Sequence, residues 1–301
     1  NARRVPGRTA LTASAVMIGL ALVVMFAAFS SSAATAVRAS IDRSLRADFV
    51  VGPRDVFSFV GFSPELASRV AALPEARAAS AVRSGFAKVD GDSVIVLGVD
   101  PATFGEVNGD RLEGGGAADW RLLGERTAIV TSAYRAQRGA GLGDTIAVAR
   151  ATGGPPLRLR VVQVIDQADV HVFVSAPVAA RELGVSQVYY VYASARDDPA
   201  ARAALGRALE RVAAAYPTAR VFSNEELKDE GGRAFDRVFG LLYALLGVAV
   251  VASVLGIANT MAMSVIERTR EIGLIRALGG TRGQVRGMIR RESVLVTLVG
   301  L

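Results

Sequence analysis

Two stretches of this 301-residue chain, Thr9–Val37 and Val238–Ile266, contain no charged residue over 29 positions each. A bilayer core about 30 Å thick is crossed by roughly 20 helical residues, so either run is long enough to span it. Hydrocarbon offers no water to a free N–H or C=O, so a run spanning it alone has to be a helix. The first run also has features of a secretory leader: Arg3, Arg4 and Arg8 ahead of it, and Ala34-Thr35-Ala36 as a small-residue cleavage site. Leader cores, however, are usually about 7–15 residues long. This one is longer, and a membrane helix is the reading adopted. The second run exceeds what spanning requires and is expected to tilt or project. A third apolar run begins at Ser293 and the chain stops at Leu301. That is too short to cross, so the sequence is expected to be a fragment cut inside a third membrane helix.

Charge assigns the sides. The chain carries 35 basic and 28 acidic residues, a net +7. Residues 1–32 hold three arginines and no acid, and residues 237–301 hold eight arginines and three glutamates. This leaves 24 basic and 25 acidic residues for 33–236, a net −1. Nucleic-acid binding would need a basic face on a folded domain, and the middle of the chain supplies no net excess. Arginine beside apolar runs follows the positive-inside pattern. The expected layout is therefore 1–37 as a cytoplasmic start and first membrane helix, 38–236 as an extracytoplasmic domain, and 237–266 as a second membrane helix. Residues 267–292 form a cytoplasmic segment, and 293–301 start the third helix.

The middle region reads as mixed α and β. Ser63-Pro64-Glu65 caps a helix over Ser63–Leu73, with proline at its first position and an early acid. The stretch "SGFAKVDGDSVIVLGVD" alternates around Asp90-Gly91, a hairpin turn. "DTIAVARATGGPPLRLRVVQVID" reads as a second hairpin, "QVYYVYAS" and "ARVFS" as strands, and Asp198–Ala215 between them as a helix. This pattern points to an α+β domain, as one body or as two subdomains with "NGDRLEGGGAADW" at their boundary.

Chemistry in this region is sparse. The chain has no cysteine, which excludes disulfides and thiolate sites. His171 is the single histidine. Asp166, Asp169 and Ser175 are near it in sequence, yet no G-x-S-x-G elbow accompanies them, so a strand histidine is the preferred reading. The two lysines, Lys88 and Lys228, lie in no G-x-x-x-x-G-K-[ST] motif, so the chain carries no phosphate-cradling loop of that kind. No catalytic residue, cofactor or metal site is expected.

The 27 residues "IERTREIGLIRALGGTRGQVRGMIRRE", Ile266–Glu292, hold seven arginines and three glutamates. Taken as a helix over Ile266–Leu278, they place Glu267, Glu271, Leu274 and Ile275 on one face, about 100° wide. Gly279-Gly280 supplies a helix stop, and Thr281-Arg282-Gly283-Gln284 a capping box for the next helix. Arginine alone fits an ordinary positive-inside loop. Two stacked acids beside Leu274, Ile275 and Leu278 fit a helix that docks on another protein.

The stretch "NTMAMSVIERTREIGLIRALGGTRGQVRGMIRRESVLVTLVG" resembles the signature of FtsX/MacB-like ABC transporter permeases. Asn259, Ser264, Val265, Glu267, Arg268, Arg270, Glu271, Ile272, Gly273, Arg276, Ala277, Gly279, Glu292 and Ser293 match its pattern. "GERTAIVTSAYRAQRGAGLGDTIAV" resembles, more loosely, a piece of the periplasmic core domain of MacB-like members. The opening "NARRVPGRTALTASAVMIGLALV" resembles the start of the second repeat of two-unit permeases. The resemblance implies an α-helical membrane protein with an α+β extracytoplasmic domain, multi-pass in a bacterial plasma membrane. It implies a separate ABC ATPase subunit as partner, docked on Glu267, Arg268, Arg270, Glu271, Leu274, Ile275, Leu278 and Gly279. A second permease copy or repeat, membrane lipids and an extracellular protein are further implied partners. The expected role is coupling ATP hydrolysis to motion of the outer domain. Its use would be to export or extract a lipid, lipoprotein, peptide or hydrophobic drug. The alternative is an FtsX-type mechanotransmitter that activates a cell-wall hydrolase, although such exterior domains are about half this size. A membrane-anchored enzyme or receptor would leave the 266–292 pattern unexplained.

Overall fold

The computed structural model describes residues 6–54, 58, 60–267, 269–277, 281, 283–284, 286–287 and 290. It divides into two compact units, Thr35–Ala234 on the one hand and Asn1–Ala34 with Phe235–Leu301 on the other. The apolar runs lie in two long helices, α1 (Pro6–Ser44) and α7 (Asn224–Glu267). Each overruns its apolar run with polar turns: α1 continues past Val37 through Arg38, Asp42 and Arg43, and α7 begins well before Val238. Windows long and apolar enough to cross a membrane are Met17–Ser44 and Phe239–Gly256. Only 12% and 6% of those windows are buried, which is not how the core helix of a water-soluble protein behaves. In the helical unit, Phe239 is buried between Phe26 and Phe29, at centroid distances of 5.9 and 5.7 Å. Met25, Leu245 and Val251 are among the side chains left exposed. The expected third run, 293–301, lies outside the described residues.

The unit Thr35–Ala234 is built on nine strands: β1 Phe49–Pro53, β2 Ala78–Val89, β3 Asp92–Val99, β4 Thr127–Thr131, β5 Thr145–Val148, β6 Leu157–Ile165, β7 His171–Ser175, β8 Val188–Ser194 and β9 Ala219–Ser223. Six of them, β2-β3-β7-β4-β6-β5, close on themselves, because β2 pairs with both β3 and β5. The β3–β7 and β4–β6 pairs are parallel, the others antiparallel. Alternation then points Val94, Val96, Val130, Ile146, Leu159, Val172 and Val174 into the ring, where they form one core. The β2–β5 seam has a single residue pair, Val89↔Val148. It is reinforced at the hairpin tip: Asp90 N–H donates to Ala147 O at 2.8 Å, and Asp90 Oδ1 accepts from Ala147 N–H at 3.0 Å. Asp90 has φ +50° and Gly91 φ +95°, the two positive values that a type I′ turn needs.

β2 also extends beyond the ring. Its first half pairs with β8, and β8-β1-β9 complete an open sheet. Short helices α3 (Phe104–Val107), α4 (Ser132–Arg138) and α5 (Ala176–Arg181) lie between strands of the unit, and two others cover one face of the open sheet. α2 (Pro64–Ala71) is capped by Ser63, with Pro64 in its first turn. α6 (Pro199–Ala213) is capped by Asp198, whose carboxylate accepts from Ala201 N–H at 3.0 Å. Leu66, Val70, Leu205 and Leu209 bury against Val51, Val191 and Val221. On the other face a third core gathers Ala47, Val82, Phe104, Trp120, Ile129, Ile165 and Phe173. The glycine-rich stretch 108–120 lies inside this unit. It makes bridges Arg111↔Ala117 and Leu112↔Ile165 and ends at the buried Trp120.

Candidate functional site: a charged helical segment and an aromatic cavity

The residues singled out for docking lie at the end of α7 and in α8 (Thr269–Ala277). Glu267 is the last residue of α7; Arg270, Glu271, Leu274 and Ile275 belong to α8. Arg268, Leu278 and Gly279 lie outside the described residues. Thr269 Oγ1 donates back to Ile266 O at 2.7 Å. Ile266 and Leu274 are 63% and 65% exposed. Arg270 is exposed beside them. The capping box is present in both directions: Gln284 N–H donates to Thr281 Oγ1 at 3.3 Å, and Gln284 Oε1 accepts from Thr281 N–H at 2.9 Å.

The unit Thr35–Ala234 does not assemble a hydrolytic site around its histidine. His171 and Ser175 open and close the same strand, β7, and four residues of extended chain separate them by about 13 Å. Ser175 Oγ donates instead to Gly124 O at 3.2 Å. Among the described residues no three His, Asp or Glu side chains converge as a metal site.

His171 does, however, line a cavity of about 330 Å³ on the face of β2, β3, β7 and β8 opposite α2 and α6. Its aromatic wall comes from a bulge. β8 pairs with β2 as Val82↔Tyr190 and then Arg83↔Val188, so Tyr189 is an extra residue. The bulge breaks the alternation and brings Tyr189, Tyr190 and Tyr192 to one cavity, while Val188 and Val191 enter the opposite core. Tyr189 stands edge-on to Tyr190 at 4.7 Å, and Tyr190 stacks with Tyr192 at 6.1 Å. Tyr189 Oη donates to Ser58 O. Space for the Tyr190 ring is left by Gly52 across the strand pair, where a Cβ would lie 2.6 Å from two ring carbons.

Two carboxylates complete the wall. Asp110 is buried at 6% exposure, accepts from Gln167 Nε2 at 2.8 Å, and is raised above the ordinary carboxylate pKa by burial. Asp169 is exposed at the rim. Burial lowers the pKa of His171 despite the opposing pull of Asp169, so the imidazole is neutral at pH 7. Burial raises the Tyr190 and Tyr192 phenols, and the Asp110 charge raises Tyr192 further. Sequence reasoning named His171 and Asp169 but missed the tyrosines and Asp110. "QVYYVYAS" reads as a plain strand, and nothing local reports the bulge.

A family model described as the MacB-like periplasmic core domain matches residues 9–212, and one described as the FtsX-like permease C-terminal matches residues 243–301. The chain belongs to the MacB/FtsX-type ABC transporter permeases. The permease is 36% identical over 81 residues to an uncharacterised ABC transporter permease, YknZ, of Bacillus subtilis, a match covering 27% of this chain and 20% of that one. It is 46% identical over 65 residues to the macrolide export ATP-binding/permease protein MacB of Chromobacterium violaceum, covering 21% and 10%. The matched stretches thus span a fifth or less of these relatives. Among solved structures, the periplasmic region of MacB from Actinobacillus actinomycetemcomitans aligns at TM-score 0.46 and 14% identity, over 63% of this chain and 94% of that one. The assignment rests on the family matches.

Proposed function

We propose that this permease couples ATP hydrolysis on a separate ABC ATPase subunit to motion of its 38–236 domain. The motion exports or extracts a lipid, lipoprotein, peptide or hydrophobic drug. The ATPase docks on Glu267, Arg268, Arg270, Glu271, Leu274, Ile275, Leu278 and Gly279. The observation that carries this reading is α8, a short helix with an exposed Leu274 beside an exposed Arg270, directly after an apolar helix in an FtsX-type segment. A large apolar side chain in a charged segment gains most where a partner covers it, at about 25 cal/mol per Å².

The test is the double variant Glu267→Ala/Glu271→Ala. ATPase subunit retained on the purified permease, and export, should fall at least tenfold, with thermal unfolding of the outer domain unchanged. Retention equal to wild type would remove the docking assignment.

A further inference from the structure

We infer that the cavity on the β2-β3-β7-β8 face binds an organic cation, an alkylated ammonium group with an apolar body. The inference needs only the outer unit and stands whether or not the coupling reading holds. Four observations point to it.

The size is right. At about 330 Å³ the cavity lies at the small end of the roughly 300–1,000 Å³ range of ligand pockets. Its charge has one sign: the charged side chains on its wall are Asp110 and Asp169, and no lysine or arginine is among its lining residues. Its surface is aromatic, with Tyr189, Tyr190, Tyr192 and Phe173 around those carboxylates. Ring faces attract a desolvated cation, and they suit alkylated ammonium, whose charge is spread over methyl groups. A metal ion fits less well, because hard cations want six or more oxygens, or at least three firm side-chain ligands. No such group exists among the described residues.

The fourth observation is that the arrangement is built at a cost. A bulge re-aims Tyr189, a glycine makes room for Tyr190, and Asp110 is buried with no lysine or arginine in ion-pair distance among the described residues. Gln167 and the Asn108 side chain hydrogen-bond Asp110, which holds it in place but leaves its charge uncompensated. An incoming ammonium ion supplies that charge.

The test is calorimetric titration of the full chain in nanodiscs with benzyltrimethylammonium, phenylacetate and benzyl alcohol. The ammonium probe should bind saturably, and the other two at least tenfold more weakly. Asp110→Asn and Tyr190→Leu should each weaken ammonium binding at least tenfold. His171→Arg, a change at a half-buried position, should abolish it by placing a cation on the wall, and serves if Asp110→Asn does not fold. Equal affinity for the three probes, no saturable ammonium binding at millimolar concentration, or binding unchanged by Asp110→Asn or His171→Arg would overturn the assignment. Repeating the titration in phosphatidylcholine and phosphatidylglycerol discs identifies the source. Competition by phosphatidylcholine points to a lipid headgroup, and equal affinity in both to a dissolved ammonium compound.

Discussion

Asp110 is a buried carboxylate whose environment departs from what stability alone would favour. Its pKa is raised above 3.8, so on raising the pH the unfolded chain releases its proton before the folded one does. Stability is therefore lost as the pH rises from 3.8 through the folded value, and the full cost is present above it. Asp110→Asn keeps an acceptor for Gln167 and removes the charge. It should raise the stability of the outer unit at pH 7 by about 1 kcal/mol. Thermal melts should show that gain shrinking as the pH is lowered toward 4. His171 has the opposite sign. Its folded pKa lies below 6.5, so stability present above 6.5 is lost as the pH falls through 6.5 toward the folded value. Melts of His171→Gln should lack that part of the pH dependence. Gly52→Ala would place a Cβ 2.6 Å from the Tyr190 ring. Overpacking of this kind costs about 1–3 kcal/mol, and denaturant melts should show a loss in that range.

Among the elements, the β2–β3 hairpin tip stands out because it also closes the ring. Asp90→Ala loses the acceptor for Ala147 N–H and puts a Cβ residue without local hydrogen bonding at φ +50°. About 1–3 kcal/mol should be lost in denaturant melts. Asp90→Asn, which retains both properties, should stay within about 0.5 kcal/mol of wild type. The hairpin itself was legible, because Asp-Gly between alternating strands has a local cause. So were the cap at Ser63, the helix beginning near Asp198 and the strands at "QVYYVYAS" and "ARVFS". The closure of six strands was not. It depends on β2–β5 and β4–β6 pairings between segments far apart in sequence, and a strand's period of two reports its faces but not its neighbours. The bulge at Tyr189 escaped for the same reason, since a two-against-one mismatch exists only relative to a partner strand. The apolar runs predicted helices but not their ends. α1 runs on to Ser44, and beyond the apolar run Arg38 pairs with Asp229 at 2.6 Å and Asp42 with Lys228 at 2.5 Å on α7. Those pairs are tertiary, and hydropathy does not register them.

For the whole molecule, the charge distribution and the FtsX-type signature carried most of the functional reading, while the cavity was invisible in the sequence. The topology expected from arginine placement puts residues 38–236 outside. Protease added to intact cells should therefore cleave between 38 and 236 and leave epitopes in 267–292 protected. Cleavage seen only in inverted vesicles would reverse that arrangement.

One strand, β2, is wall to both the closed ring and the open sheet. Its partner β3 is reached through a two-residue turn, but β8 follows roughly a hundred residues later. The ring needs β7, which ends at Ser175, and the open sheet waits for β8 and β9, so a ribosome must finish most of the domain before either can close. The outer unit should consequently fold late and all at once, with millisecond-to-second kinetics typical of non-local sheets and a single unfolding transition.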